Sequence, residues 1–224
     1  MREVVLDTET TGFKANHGDR LVEICCIELI NHVVSGESFH RYINPERDMP
    51  DGAFQVHGLS SEFLSDKPVF VEVAEEIRAY LGDDKLIIHN ASFDIGFLNA
   101  EFKKIGGKEL PMEQAIDTLA LARRKFPGAP ASLDALCRRF EIDNSHRTLH
   151  GARLDAELLA EVYLELIGGR QPGLVLSAAA TKVFETDEKQ ARIVREARPH
   201  APSDDEKVAH AAFLNKINDP IWER

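Results

Sequence analysis

Four carboxylates and one histidine carry the residue types and spacing of a hydrolytic metal site: Asp7 and Glu9 two apart, Asp94, Asp155, and His150 five residues before Asp155. Asp7 and Glu9 follow Val4-Val5-Leu6, a β-branched and apolar run that reads as a strand buried on both faces and ended by Thr10-Thr11-Gly12. Side chains alternate along a strand, so the two carboxylates project from one face at its C-terminal end. Held together they repel and lose hydration, which costs free energy unless a cation offsets it. An isolated Asp-x-Glu would be an ordinary solvated strand end, and an isolated His150 an ordinary loop histidine; it is the set that points to chemistry. Oxygen ligands select hard cations such as Mg²⁺ or Mn²⁺ over zinc. Two such ions, roughly 4 Å apart, can hold a phosphodiester, one turning water into hydroxide and the other stabilising the leaving oxygen. His150 suits the general base, because an imidazole with a pKa near ~6.5 accepts protons at neutral pH.

The elements that must position these groups follow from periodicity. Leu21 to Ile30 and Val33 to Ile43 read as two strands joined around Asn31-His32, a hairpin able to pair with the first strand. Pro50 to Gly58 reads as a loop with turn residues at both ends. Val69, Val73, Ile77 and Leu81 step by four and predict a helix, Lys85 to His89 a buried strand, and Phe93 to Ile105 a helix with Asp94 at its start. Ala115 to Asp117 is a short strand, followed by helices over Leu119 to Lys125 and Ser132 to Phe140. Gly151 to Ile167 has the strongest helical pattern, and Asp155 falls on the same side as Leu159 and Val162, where a carboxylate needs a partner. The expected fold is α/β, a mixed five-stranded sheet flanked by helices. Asn90, Asp117 and Asp134 read as turn or cap residues, and Arg123-Arg124-Lys125 and Arg138-Arg139 as solvated faces.

Of 224 residues, 43% are hydrophobic, enough for one ordinary core with an appendage. No apolar run approaches the roughly 20 residues of a membrane helix, and Met1-Arg2-Glu3 enters a strand at once, so no membrane association, no signal peptide and a cytoplasmic location are expected. Cys25, Cys26 and Cys137 lack metal-ligand spacing and read as reduced core residues. The net charge of -11 lies wholly in residues 1 to 169, with 18 Lys/Arg against 29 Asp/Glu, whereas residues 170 to 224 hold nine of each. An acidic body does not grip long duplexes by neutralising phosphates, so a partner must deliver any nucleic acid.

Asp7-Thr-Glu9-Thr-Thr-Gly12, His89-Asn-Ala-Ser-Phe-Asp94 and His150-Gly-Ala-Arg-Leu-Asp155 together resemble the three motifs of the DEDD 3′–5′ exonucleases, in the subgroup with His five before the last Asp. Phe54-Gln-Val-His57-Gly58, Phe126-Pro-Gly128 and Ser132-Leu-Asp-Ala-Leu-Cys137 look like segments of the proofreading subunits of bacterial replicative DNA polymerases. The resemblance covers residues 3 to about 168 and the rest loosely. It implies a ribonuclease H-like fold with Asp7 bridging two ions, Glu9 and Asp155 on the water-activating one, Asp94 acting partly through bound water, and His150 activating water. It also implies that the 3′ end of DNA, single-stranded or frayed, is bound beside Asp7, Glu9, Thr10 and His57. Some relatives carry Glu where this chain has Gly52, so a sugar contact from that side chain is absent here.

The domain reading is an exonuclease domain over 1–168, a linker over 169–184, and a flexible tail over 185–224 that binds the polymerase catalytic subunit. Within the tail, Asp187 to Arg198 reads as a short charged helix, Asp204 to Ile217 has a narrow apolar stripe, and Trp222, the chain's single tryptophan, is of the type most enriched at binding hot spots. Gln171-Pro-Gly-Leu174-Val-Leu176 resembles peptides by which bacterial replication proteins dock on the sliding clamp. The expected function is metal-dependent removal of mispaired 3′ nucleotides; the alternatives are an RNA- or oligonucleotide-trimming exonuclease on the same fold and a catalytically silent scaffold.

Overall fold

A computed structural model of the chain describes residues 1–145, 149–168 and 201–216. The chain divides into two units, Met1–Val175 and Leu176–Arg224. In the first, strand β1 (Arg2–Thr10) pairs antiparallel with β2 (Leu21–Ile30), which pairs antiparallel with β3 (Val33–Tyr42) across a two-residue turn at Asn31 and His32, both at positive φ. On its other side β1 runs parallel to β4 (Lys85–Ile88), and β4 runs parallel to β5 (Ala115–Asp117). The order β3-β2-β1-β4-β5 is the expected mixed five-stranded sheet.

Alternation along β1 divides the core. Val4 and Leu6, with Ile24, Cys26, Leu86 and Ile88, pack against α3 (Phe70–Leu81) and α4 (Ala91–Lys104). Val5, with Cys25, Ile27 and Ile87, packs against α6 (Leu133–Phe140) and α7 (Ala152–Leu166). Both faces are therefore dry, which is why the central strands read as continuous apolar runs. All three cysteines are free and buried, as expected. A further helix, α5 (Thr118–Lys125), leaves β5 with Asp117 as its N-cap, the Oδ1 accepting the Leu119 N–H at 2.9 Å.

The expected loop over 50–58 is instead a helix, α1 (Asp51–His57). Its turn residues are start and stop signals: Pro50 is extended at the N-cap, Asp51 lies at the positive end of the helix, and Gly58 ends it at φ 72 with its N–H on the Phe54 carbonyl. A one-turn helix α2 (Ser61–Leu64) follows, capped by Ser60. Helix α4 also starts two residues before the expected Phe93, because Asn90 takes a left-handed conformation at φ 68 and donates its N–H to Asp117 Oδ1 at 3.1 Å. Asn90 and Asp117 thus serve the turn before Asp94, as their types suggested. In the second unit the described residues form one helix, α8 (Asp204–Leu214), with Ser203 and Glu206 as a capping box. No helix among the described residues is long and apolar enough to cross a membrane.

Candidate active site

The parallel pairing of β1 with β4 stops at Val5 and Ile87 and β4 ends one residue later, so Asp7 and Glu9, further along β1, lie on the side where α4 begins three residues after β4. Asp94 is buried and accepts a 2.6 Å hydrogen bond from the Thr8 hydroxyl, fixing α4 to the strand between the two acidic positions. From the other side α7 brings Asp155, buried on its inner face, and His150 on the segment leading into it. His150 Nδ1 lies 3.2 Å from Asp155 Oδ2, and the His150 N–H donates to the Val56 carbonyl at 2.9 Å, which ties this segment to α1. Ligand atoms of Glu9, His150 and Asp155 lie within 4.8 Å of one another. A register shift in the β1–β2 pairing falls between Glu9 and Thr10, re-aiming the strand end at the site.

The electrostatics are those of crowded acids. Burial first, and then the charges of Asp94, Asp155, Glu9 and Glu23, push the Asp7 carboxyl well above the usual range. Burial raises Asp94 to about 7, against the pull of the Thr8 hydroxyl and of neighbouring backbone amides. Carboxylates brought together at this electrostatic cost are stabilised by a divalent cation, and the donor set of oxygens with one imidazole fits that group.

Two cavities meet at His150. One, of 240 Å³, is lined by Asp7, Asp155, His89, Ser132 and Asp134. The other, of 450 Å³, has a polar wall of Glu9, Thr10, Thr11 and His57, and an apolar wall that includes Phe13, Val56 and Phe93. His57 is buried, its Nδ1 accepts the Leu59 N–H at 3.1 Å, and its Nε2 makes no hydrogen bond. Burial lowers its pKa, against the main chain of Thr10, and the Nδ1 that accepts the Leu59 N–H carries no proton. All seven residues singled out from the sequence therefore lie at one end of the sheet. Sequence reasoning did not single out Phe13, Phe93 or His89 as lining residues, although His89 and Phe93 lie within the second motif and Phe13 directly follows the first; an isolated aromatic carries no periodic signal to separate cavity wall from core.

Acidic strand ends and helix starts converging on a mixed sheet of this order define an exonuclease of the ribonuclease H-like fold, a class that depends on divalent metal. The chain belongs to the Exonuclease family (RNase_T), whose model matches residues 4–163. Within it, the chain is 49% identical to the DNA polymerase III subunit epsilon of Rickettsia felis over 97% of both chains. It is 44% identical to the subunit of that name from Escherichia coli, over 96% of this chain and 93% of the relative. Among solved structures it resembles exonuclease X in complex with 5′ overhanging duplex DNA, at 26% identity and a TM-score of 0.60 over 75% of this chain and 92% of the other. It also shares the fold of the nuclease domain of 3′hExo, a DEDDh family member bound to rAMP, at 16% identity and a TM-score of 0.64, again over 75% of this chain and 92% of that one.

Proposed function

We propose that the protein is a 3′–5′ exonuclease that removes mispaired 3′-terminal nucleotides as the proofreading subunit of a replicative DNA polymerase. The observation that carries this reading is the grouping of Glu9, His150 and Asp155, with the charges of Asp94 and Asp155 acting on the buried Asp7, beside a cavity lined by Glu9, Thr10, His57 and His150. When bound, two Mg²⁺ or Mn²⁺ ions supply a nucleophilic hydroxide at neutral pH and offset charge on the leaving oxygen. Asp7, on which the charges of Asp94 and Asp155 act most strongly after burial, would hold both ions; Glu9 and Asp155 would hold the water side, and Asp94 would act partly through water. His150 Nδ1 is against Asp155, so Nε2 is the atom that takes the proton of the attacking water. The water oxygen bonds to phosphorus, the bond to the 3′ oxygen of the penultimate nucleotide breaks, and a nucleoside 5′-monophosphate leaves.

The wall residues select the terminus. Because His57 Nδ1 accepts the Leu59 N–H, the neutral ring carries its proton on Nε2, a donor for the terminal nucleotide beside Thr10. Phe13, Val56 and Phe93 offer an apolar surface that every base can use, so removal is independent of sequence. Gly52 lines the same cavity, with open space where a side chain would start, so no sugar contact arises there.

The tail is assigned to the polymerase catalytic subunit, which would deliver the DNA that the acidic body does not attract. Val208 and Phe213 of α8 are exposed, which supports a surface awaiting a partner. Gln171 to Leu176, assigned to the sliding clamp, Asp187 to Arg198 and Trp222 lie outside the described residues. A peptide of residues 168 to 180 that fails to bind clamp at high concentration removes the clamp assignment. Work on replicating DNA places the protein in the cytoplasm.

The deciding experiment is degradation of a 3′-labelled strand, offered as DNA and as RNA, paired and mispaired, with and without chelator. Chelator should stop the reaction, DNA should be cut in preference to RNA, and mispaired ends faster than paired ones, since a terminus must unpair to reach the site. Equal rates on paired and mispaired ends at a temperature without fraying would sink the proofreading role; preference for RNA would favour the trimming enzyme.

A further inference from the structure

A fifth acidic side chain belongs to the site without belonging to any motif. Glu23 on β2 is the cross-strand partner of Glu9, and its side chain is buried. Each of its oxygens has a partner: Oε1 lies 2.7 Å from His40 Nε2 on β3, and Oε2 accepts the Ala152 N–H at 3.2 Å, across 129 residues of sequence. Ala152 is the first residue of α7, and the N-cap, Gly151, makes no side-chain cap hydrogen bond. A helix whose cap residue has no acceptor leaves its first N–H groups to be satisfied from elsewhere. Here the acceptor comes from the sheet, and a carboxylate is also the favourable charge at that end of a helix.

We infer that Glu23 is a positioning residue for the metal site, acting as a cap in trans that fixes the first turn of α7 against the strand carrying Asp7 and Glu9. His150 is two residues before Ala152 and Asp155 three after it, so the contact lies in the middle of the His150–Asp155 motif. Glu9 is held opposite Glu23 by the β1–β2 ladder, so one side chain sets where Asp155 and His150 stand relative to Glu9. With one oxygen on His40 and the other on the α7 N–H, Glu23 acts through the helix and not as a further ligand. This inference rests on the metal site proposed above.

The contact depends on the reach of the side chain, so two variants separate reach from charge. Glu23→Gln keeps the length and an acceptor oxygen and loses the charge; Glu23→Asp keeps the charge and is one methylene too short for the Ala152 N–H. Mn²⁺ binding is measured by calorimetry on the full chain, alongside kcat and KM on a single-stranded oligonucleotide, with metal-free melting curves to show that both variants fold. Glu23→Gln should bind Mn²⁺ within about twofold of wild type. Glu23→Asp should lose roughly 10- to 100-fold in Mn²⁺ affinity or kcat, the usual effect of displacing a group that orients metal ligands, with KM within about twofold. Loss in Glu23→Gln equal to that in Glu23→Asp overturns the inference, since charge or direct ligation would then be what matters; so does wild-type behaviour of Glu23→Asp. Asp155→Ala is the control: if it binds Mn²⁺ as wild type does, the metal-site reading itself has failed.

Discussion

At the scale of single residues the site stores repulsion that a cation releases. Asp7→Ala should abolish Mg²⁺-dependent hydrolysis while the metal-free protein melts no lower than wild type, because the substitution removes one of several mutually repelling acids. His150→Ala should lose about 10²–10⁴ in kcat, the range of a general base, and still bind Mn²⁺ in calorimetry; a collapse of metal affinity would make His150 a ligand instead. The raised carboxyls also set a pH dependence. For Asp94, 3.8 unfolded and about 7 folded, the neutral form is favoured by folding, so its contribution to stability is complete below 3.8 and is lost as pH rises through about 7. Asp7 shifts in the same direction. In chelator, the melting temperature should therefore fall from about pH 5 to about pH 8 through these groups, and added Mn²⁺ should raise it more at the higher pH, where protons no longer compete. A thermal-shift series with and without Mn²⁺ checks both signs.

At the scale of elements, short caps hold the catalytic segments. Gly58 ends α1 at φ 72, and a Cβ there would stand 2.8 Å from Leu149 Cδ1, next to His150. Gly58→Ala therefore forces a left-handed backbone on a residue with a Cβ, which costs roughly 1–2 kcal/mol, while the exposed Leu149 side chain can turn away from the added methyl. Expected is a lower melting temperature with little change in kcat, measured together; a variant as stable as wild type would show that α1 does not need its left-handed end. Helices α4 and α7 each put an aspartate in their first turn, where the helix dipole favours the negative charge that burial opposes. The site is thus assembled from helix starts and a strand end, and none of these elements holds more than two of its five groups.

At the scale of the whole molecule, the proposed division is between catalysis in the nuclease unit and delivery through the tail. The acidic excess lies in residues 1 to 169, so the nuclease unit should bind long duplexes weakly and depend on its partner for access to primer ends. Deleting residues 185 to 224 should leave mononucleotide release from single strands nearly unchanged and abolish co-purification with the polymerase catalytic subunit. Tight binding by the truncated chain would move the interface to the nuclease unit.

The sequence by itself determined the sheet, the helices that flank it and the five candidate groups of the site, because each is written locally: apolar periodicity fixes an element, and Asp7, Glu9, Asp94, His150 and Asp155 stand at fixed offsets from element ends. It misled over 50–58, where Pro50 and Gly58 mark the ends of a helix too short for its period to show. Only the tertiary structure decided what depends on residues distant in sequence. The Thr8–Asp94 hydrogen bond spans 86 residues and the Glu23–Ala152 contact 129, and the cavity wall joins Phe13 to Phe93. A side chain's partner across the fold is set by how the strands register and how α7 lies on them, and no local pattern of residue types encodes that geometry.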